Sequence, residues 1–143
     1  KHVASVEAGY LGEVFGRPFP EDLPWLNDDA EDGADMWARA DESRELITEF
    51  YRRVWAHSAV TVAGLDLEAK GVVPWWGDRG NVTLGRILVH LVSETQRHAG
   101  HADILRELID GATGDRPGVE SPLDADGWLA YRERVEQAAR EAS

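Results

Sequence analysis

Glu94 and His98 lie four residues apart in a stretch that runs from Thr83 to Gly111 without a proline, a spacing that stacks two side chains on one helical face where both can reach a single ion. Thr83 is suited to cap the start of such a helix and Gly111 to stop it, which predicts about seven turns. On a helical wheel Leu105 falls directly in line with Ile87, and Leu91 and Ile109 lie just to one side of that line, defining the expected core stripe. Glu94, His98 and His101 fall within the same narrow sector, so three polar side chains interrupt the middle of that stripe. His90 lies at its border, and Gln96, Asp103 and Glu107 face away. A buried carboxylate or imidazole costs several kcal/mol unless it is partnered. A divalent cation is one such partner, and helical bundles build metal sites from inward side chains in this way. A hydrogen-bonded Glu94–His98 pair in a dry core and a polar seam at a dimer interface are the alternatives. A third ligand must come from another helix, and His2, with Val6 one turn on, is the candidate.

The elements that would position these residues follow from periodicity and punctuation. Val3, Val6, Tyr10, Leu11, Val14 and Phe15 recur at spacings of three and four over Lys1 to Gly16, predicting a first amphipathic helix that Gly16, Pro18 and Pro20 end. Pro18 to Ala38 holds seven acids, no base and three prolines, and reads as a long solvated connection. A rim around the site that disfavours anionic substrates is its alternative role. A second helix is expected from near Asp41, with Glu42 in its first turn and Leu46, Ile47, Phe50, Tyr51, Val54 and Trp55 as its buried stripe. His57 on that helix, beside Arg52, Arg53 and Ser58, reads as a surface residue. Ala63 to Asn81 is glycine-punctuated and reads as a loop whose Trp75 and Trp76 line a pocket. Residues 112–118 form a further loop, after which Ser121 and Pro122 are suited to open a last amphipathic helix with Trp128, Val135 and Ala138 on one face. No stretch alternates with the period of a strand, so the expected fold is all-α, a helical bundle.

Composition narrows the function. The chain has 143 residues, fitting one principal core, and 27 acidic against 15 basic residues give a formal charge of −12 that disfavours nucleic acid and anionic membranes as partners. No apolar run approaches the roughly 20 residues of a membrane helix, and no signal peptide opens the chain, so a cytoplasmic protein is the expectation. There is no cysteine, which excludes thiolate metal sites and a protein thiol nucleophile. The acids from Asp28 onward do not make a calcium loop, because Ala30 and Arg39 occupy its third and twelfth positions. No nucleotide-binding, HExxH or GxSxG motif is present.

The segment LGRILVHLVSETQRHAGHADILRELIDG, Leu84 to Gly111, resembles the signature helix of the actinobacterial mini-circle proteins, a branch of the DinB-like metalloenzyme superfamily. The opening KHVASVEAGYL resembles that family's histidine-bearing helix. The similarity spans about residues 1 to 115 and implies a DinB-like four-helix bundle, with residues 116–143 as an extra C-terminal helix packed on it. The family's first helix has no counterpart here, which implies that it precedes Lys1. Carried over by residue, His2 matches the family's early metal ligand. Against the common motif His-x-x-x-His-Arg-Gly-Gln, Glu94 takes the first histidine's place, His98 the second and His101 that of the glutamine. A glutamate at the first position also occurs in the related mycothiol-dependent maleylpyruvate isomerase. His2, Glu94 and His98 would then form a two-histidine, one-carboxylate triad. His101 would be a fourth ligand, a supporting partner or the acid/base group.

Relatives use the low-molecular-weight thiols mycothiol and bacillithiol as cosubstrates, so the resemblance implies a thiol-dependent S-transferase acting on a small electrophile, and a homodimer. Zinc suits a thiolate best, with nickel, cobalt and manganese compatible with the same ligands. The thiol would bind near Trp75 and Trp76, and His101 is the expected base. A non-enzymatic metal-binding or stress-response bundle and a metal-dependent hydrolase are the competing functions.

Overall fold

The computed structural model describes residues 1–110 and 123–142. Among them the fold is mostly helical: α1 (His2–Leu11), α2 (Arg44–Gly64), α3 (Leu84–Asp110) and α4 (Ala125–Glu141), with 3₁₀ turns at Glu13–Phe15, Pro24–Leu26 and Pro74–Arg79. The chain forms two compact units, Lys1–Gln96 and Arg97–Ser143.

The first helix has no side-chain cap. The His2 N–H, one of the donors a helix start leaves without an internal partner, instead bonds the Asp35 carbonyl at 3.0 Å. Its far end turns at Gly12, where a Cβ would collide with the Ala8 carbonyl oxygen, and the following 3₁₀ turn closes on Gly16 at φ +69°.

Ser43 caps α2, its side chain accepting from the Leu46 N–H at 3.2 Å. The helix therefore starts later than its acidic approach predicts. Asp41 and Glu42, both good first-turn residues, are drawn into ion pairs with Arg39 and Lys1. Its buried face is Phe50, Val54, Ser58 and Thr61, while Leu46 and Trp55 are exposed.

The expectation of no strand needs a correction. Lys70–Val72 (β1) and Asn81–Thr83 (β2) form an antiparallel hairpin in the register Lys70↔Thr83, Gly71↔Val82 and Val72↔Asn81. Strands of three residues are too short to show a period of two. What the hairpin needs is glycine at 71, because a Cβ there would lie 2.7 Å from the Val14 carbonyl oxygen and 2.8 Å from the Phe15 ring. The hairpin delivers Thr83, whose Oγ1 accepts the Arg86 N–H at 3.2 Å, as expected of a cap. The N–H groups of Leu84 and Gly85 reach the carbonyls of Ala69 and Leu67.

Two apolar clusters flank α1. Ala4 and Ala8 meet Phe50 and Val54, with Phe19, Leu23, Trp25 and Tyr51 around them. Tyr10, Leu11 and Val14 meet Val73, Val82, Leu84 and Ile87, with Trp76 and Leu91 packed alongside. The small side chains of Ala4 and Ala8 let α2 approach closely, and the larger ones at positions 10 and 11 fill the space against the hairpin and the start of α3.

In the second unit, Asp124 caps α4 by accepting the Gly127 N–H at 2.8 Å. Leu105 and Ile109, expected in the core stripe, are exposed. The expected loop 112–118 and the Ser121–Pro122 helix start lie outside the described residues.

Candidate functional site

His2 opens α1, and its Nδ1–H donates to Asp35 Oδ2 at 2.6 Å, with both side chains largely covered. A carboxylate only accepts, which fixes the proton on Nδ1. The segment that carries Asp35 is tied down around this pair. Lys1 Nζ bonds both Glu42 oxygens at 2.8 and 2.9 Å and lies 4.9 Å from the centre of the Trp25 ring. Trp25 Nε1 donates to Ser5 Oγ at 2.8 Å. The acidic connection is thus solvated only in part. Asp28, Asp29, Glu31 and Asp32 are exposed, but Asp35 turns inward onto α1. Between these groups lies a cavity of about 340 Å³, lined by Lys1, Trp25, Asn27, Trp37, Arg39 and Glu42 among others.

At the other end of α1, Trp75 and Trp76 are brought together through an atom the sequence does not single out, and neither lines the cavity beside Lys1 and Trp25. Both indole N–H groups donate to the Tyr10 hydroxyl, at 3.1 and 3.0 Å. His90 sits edge-on to Tyr10 and to Trp76, with ring centres 4.8 Å apart in each case, and the Arg86 guanidinium lies 5.1 Å from the centre of the Trp76 ring. Trp75 remains half exposed. Sequence reasoning places His90 only at the border of the core stripe. Its spacing one turn before Glu94 is the available signal.

Glu94 and His98 both fall on α3, and both are half-buried. His101, on the same helix, is exposed, and its ring lies edge-on to His98 with centres 5.9 Å apart. Among the described residues, no three His, Asp or Glu side chains stand close enough together to hold a metal ion.

Two further groups differ from their sequence reading or escape it. His57 is half-buried rather than on the surface, edge-on to Phe19 with ring centres 5.4 Å apart. Its Nδ1 is buried without a hydrogen-bond partner. Glu7 borders a groove of about 550 Å³ with Leu11, Trp55, Ser58 and Val62. Burial pushes its carboxyl above the usual range, and the neighbouring Ser58 hydroxyl offsets this in part. The Ser58 Oγ is not within hydrogen-bonding geometry of any partner, so the hydroxyl offers Glu7 only a weak dipole.

The described residues form a mostly helical fold, as the DinB-like resemblance implies. The mycothiol S-transferase family model matches residues 1–111, and the chain belongs to that family. No curated protein and no solved structure matches it. No helix among the described residues is long and apolar enough to cross a membrane.

Proposed function

We propose that the protein is a metal-dependent S-transferase that joins a mycothiol-type thiol to a small electrophile. The observation that carries this reading is the family match over residues 1–111. The absence of cysteine agrees with it, since the sulfur then arrives with the cosubstrate.

In this reading the residues that would hold the cation are those the family resemblance implies, His2, Glu94 and His98. The donor types suit a cation, two imidazoles and a carboxylate, but among the described residues no three such side chains stand close enough together to hold one, so the triad rests on the family resemblance. Zinc is the best match for a thiol substrate, with nickel, cobalt and manganese as alternatives. When bound, such a cation lowers the pKa of a thiol and so supplies thiolate near neutral pH.

The chain's own groups do the rest. Trp75 and Trp76, locked by their shared bond to Tyr10, offer a rigid aromatic wall on which the cosubstrate docks. His101 takes the thiol proton, the sulfur forms its bond to the electrophilic carbon, and the leaving group departs with the electron pair of the bond that breaks. The family resemblance further supports a homodimer working in the cytoplasm.

The test is an assay of the metal-loaded protein against a panel of electrophiles, with and without mycothiol. The reading expects the electrophile to be consumed only when the thiol is present. Consumption at an equal rate without thiol identifies a hydrolase, and no consumption under either condition identifies a non-catalytic metal-binding bundle.

A further inference from the structure

We propose that the outer face of the β1–β2 hairpin, together with Arg86 in the first turn of α3, binds the oxyanion group of a small organic acid. The inference needs no metal and does not depend on the proposed transferase reaction. Its basis is a cavity of about 440 Å³ whose lining includes Lys70, Val72, Asn81, Thr83 and Arg86. The pleat of the two strands explains which side chains reach it. Gly71 and Val82 are a buried cross-strand pair, so Lys70, Val72, Asn81 and Thr83 share the opposite face. Lys70 pairs across the strands with Thr83, and Arg86 follows Thr83 by one helical turn, which brings both cations to the same side of the hairpin.

Charge singles this cavity out. The chain has 27 acidic residues against 15 basic ones, yet two cations and no carboxylate line it, whereas the cavity beside Trp25 and the groove beside Trp55 both include acidic side chains. Arg86 is held in place before an anion arrives. Its guanidinium lies 5.1 Å from the centre of the Trp76 ring, and its Nη1 donates to the Asn81 carbonyl at 3.4 Å. Lys70 has no hydrogen-bond or ion-pair partner among the described residues. Thr83 Oγ1 accepts from the Arg86 N–H, which leaves the hydroxyl proton to donate. The N–H groups of Leu84, Gly85 and Arg86 are already taken, so recognition falls to side chains rather than to the helix start. Val72, 57% exposed, offers apolar surface to the body of the ligand. A net charge of −12 repels a polyanion such as nucleic acid. A small anion responds to charges within about 8 Å at physiological salt, and the charged groups that line the cavity are Lys70 and Arg86.

The experiment titrates the full chain with benzoate, phenyl phosphate, inorganic phosphate and, as an uncharged control, benzyl alcohol, and follows backbone amide NMR shifts. The proposal expects benzoate or phenyl phosphate to bind saturably, with the largest shifts at residues 70–72 and 81–86. The tighter of the two names the oxyanion as carboxylate or phosphate. Arg86→Ala should weaken that binding about 10–100-fold, the worth of a charge-assisted hydrogen bond, and Lys70→Ala should weaken it by less. If Arg86→Ala fails to fold, Arg86→Lys, which keeps the charge and loses the fork, carries the comparison with Lys70→Ala.

No saturable shift with either organic anion overturns the proposal, and so does unchanged affinity in the variants at both positions. Benzyl alcohol binding as tightly as benzoate overturns it by making the surface merely apolar. Inorganic phosphate binding as tightly as phenyl phosphate overturns the assignment to an organic acid.

Discussion

The two ends of α1 are held by different physics. The helix has ten residues and spans about 15 Å. At its start, His2 and Lys1 are gripped by carboxylates of Asp35 and Glu42 through short, charge-assisted bonds. At its other end, Tyr10 is buried among Trp75, Trp76 and His90, and the polar contacts there are two neutral indole N–H bonds to one phenol oxygen. Carboxylate bonds are directional and set the orientation and tautomer of an imidazole. Aromatic packing sets a shape and leaves a surface. In the proposed function the first end serves the cation and the second the cosubstrate.

Breaking the packing under the start of α1 is expected to have the largest effect. Phe50 is 3% exposed and lies edge-on to both Trp25 and Phe19, so Phe50→Ala should cost about 3–5 kcal/mol in denaturant unfolding. At the aromatic end, Tyr10→Phe keeps the ring and removes the shared acceptor, leaving two indole N–H groups without it. A loss of about 1–3 kcal/mol is expected, with a change in tryptophan fluorescence.

Acid should separate the two ends. The Lys1 hydrogen bond holds the Glu42 carboxyl below its ordinary range, so its stabilising contribution is complete above that range and is lost as pH falls through the lowered value. Amide exchange in the first turn of α1 should accelerate there, while the Tyr10–Trp76 end stays protected. A smaller effect of opposite sign is expected from Glu7, whose raised pKa makes ionisation unfavourable in the folded state. Its contribution is complete below the unfolded carboxyl range and is lost as pH rises through the raised value. Glu7→Gln should therefore be slightly more stable than wild type at neutral pH, with the difference vanishing in acid, as read by thermal unfolding.

How much of this is legible in the sequence depends on the distance over which each signal acts. The long helix, its Thr83 cap and the half-buried line through Glu94 and His98 are local, and a period of 3.6 residues reveals them. The stripe stops being informative at Leu105 and Ile109, which keep the period and are exposed. The hairpin escapes because its cause is a close approach of Gly71 to Val14, not a pattern along the strands. Asp35 escapes because it lies 33 residues from His2 in a run of acids where no single carboxylate stands out. Tyr10 is legible as an apolar position, but only the fold shows that its oxygen joins two tryptophans.

The proposed function depends on the protein taking up one divalent ion through the residues the family resemblance implies, His2, Glu94 and His98. It is tested most directly by elemental analysis of the purified protein beside His2→Ala, Glu94→Ala and His98→Ala. The account predicts stoichiometric metal in wild type and a marked loss in each variant. Metal-free wild-type protein, or metal uptake unchanged by Glu94→Ala and His98→Ala, would contradict it.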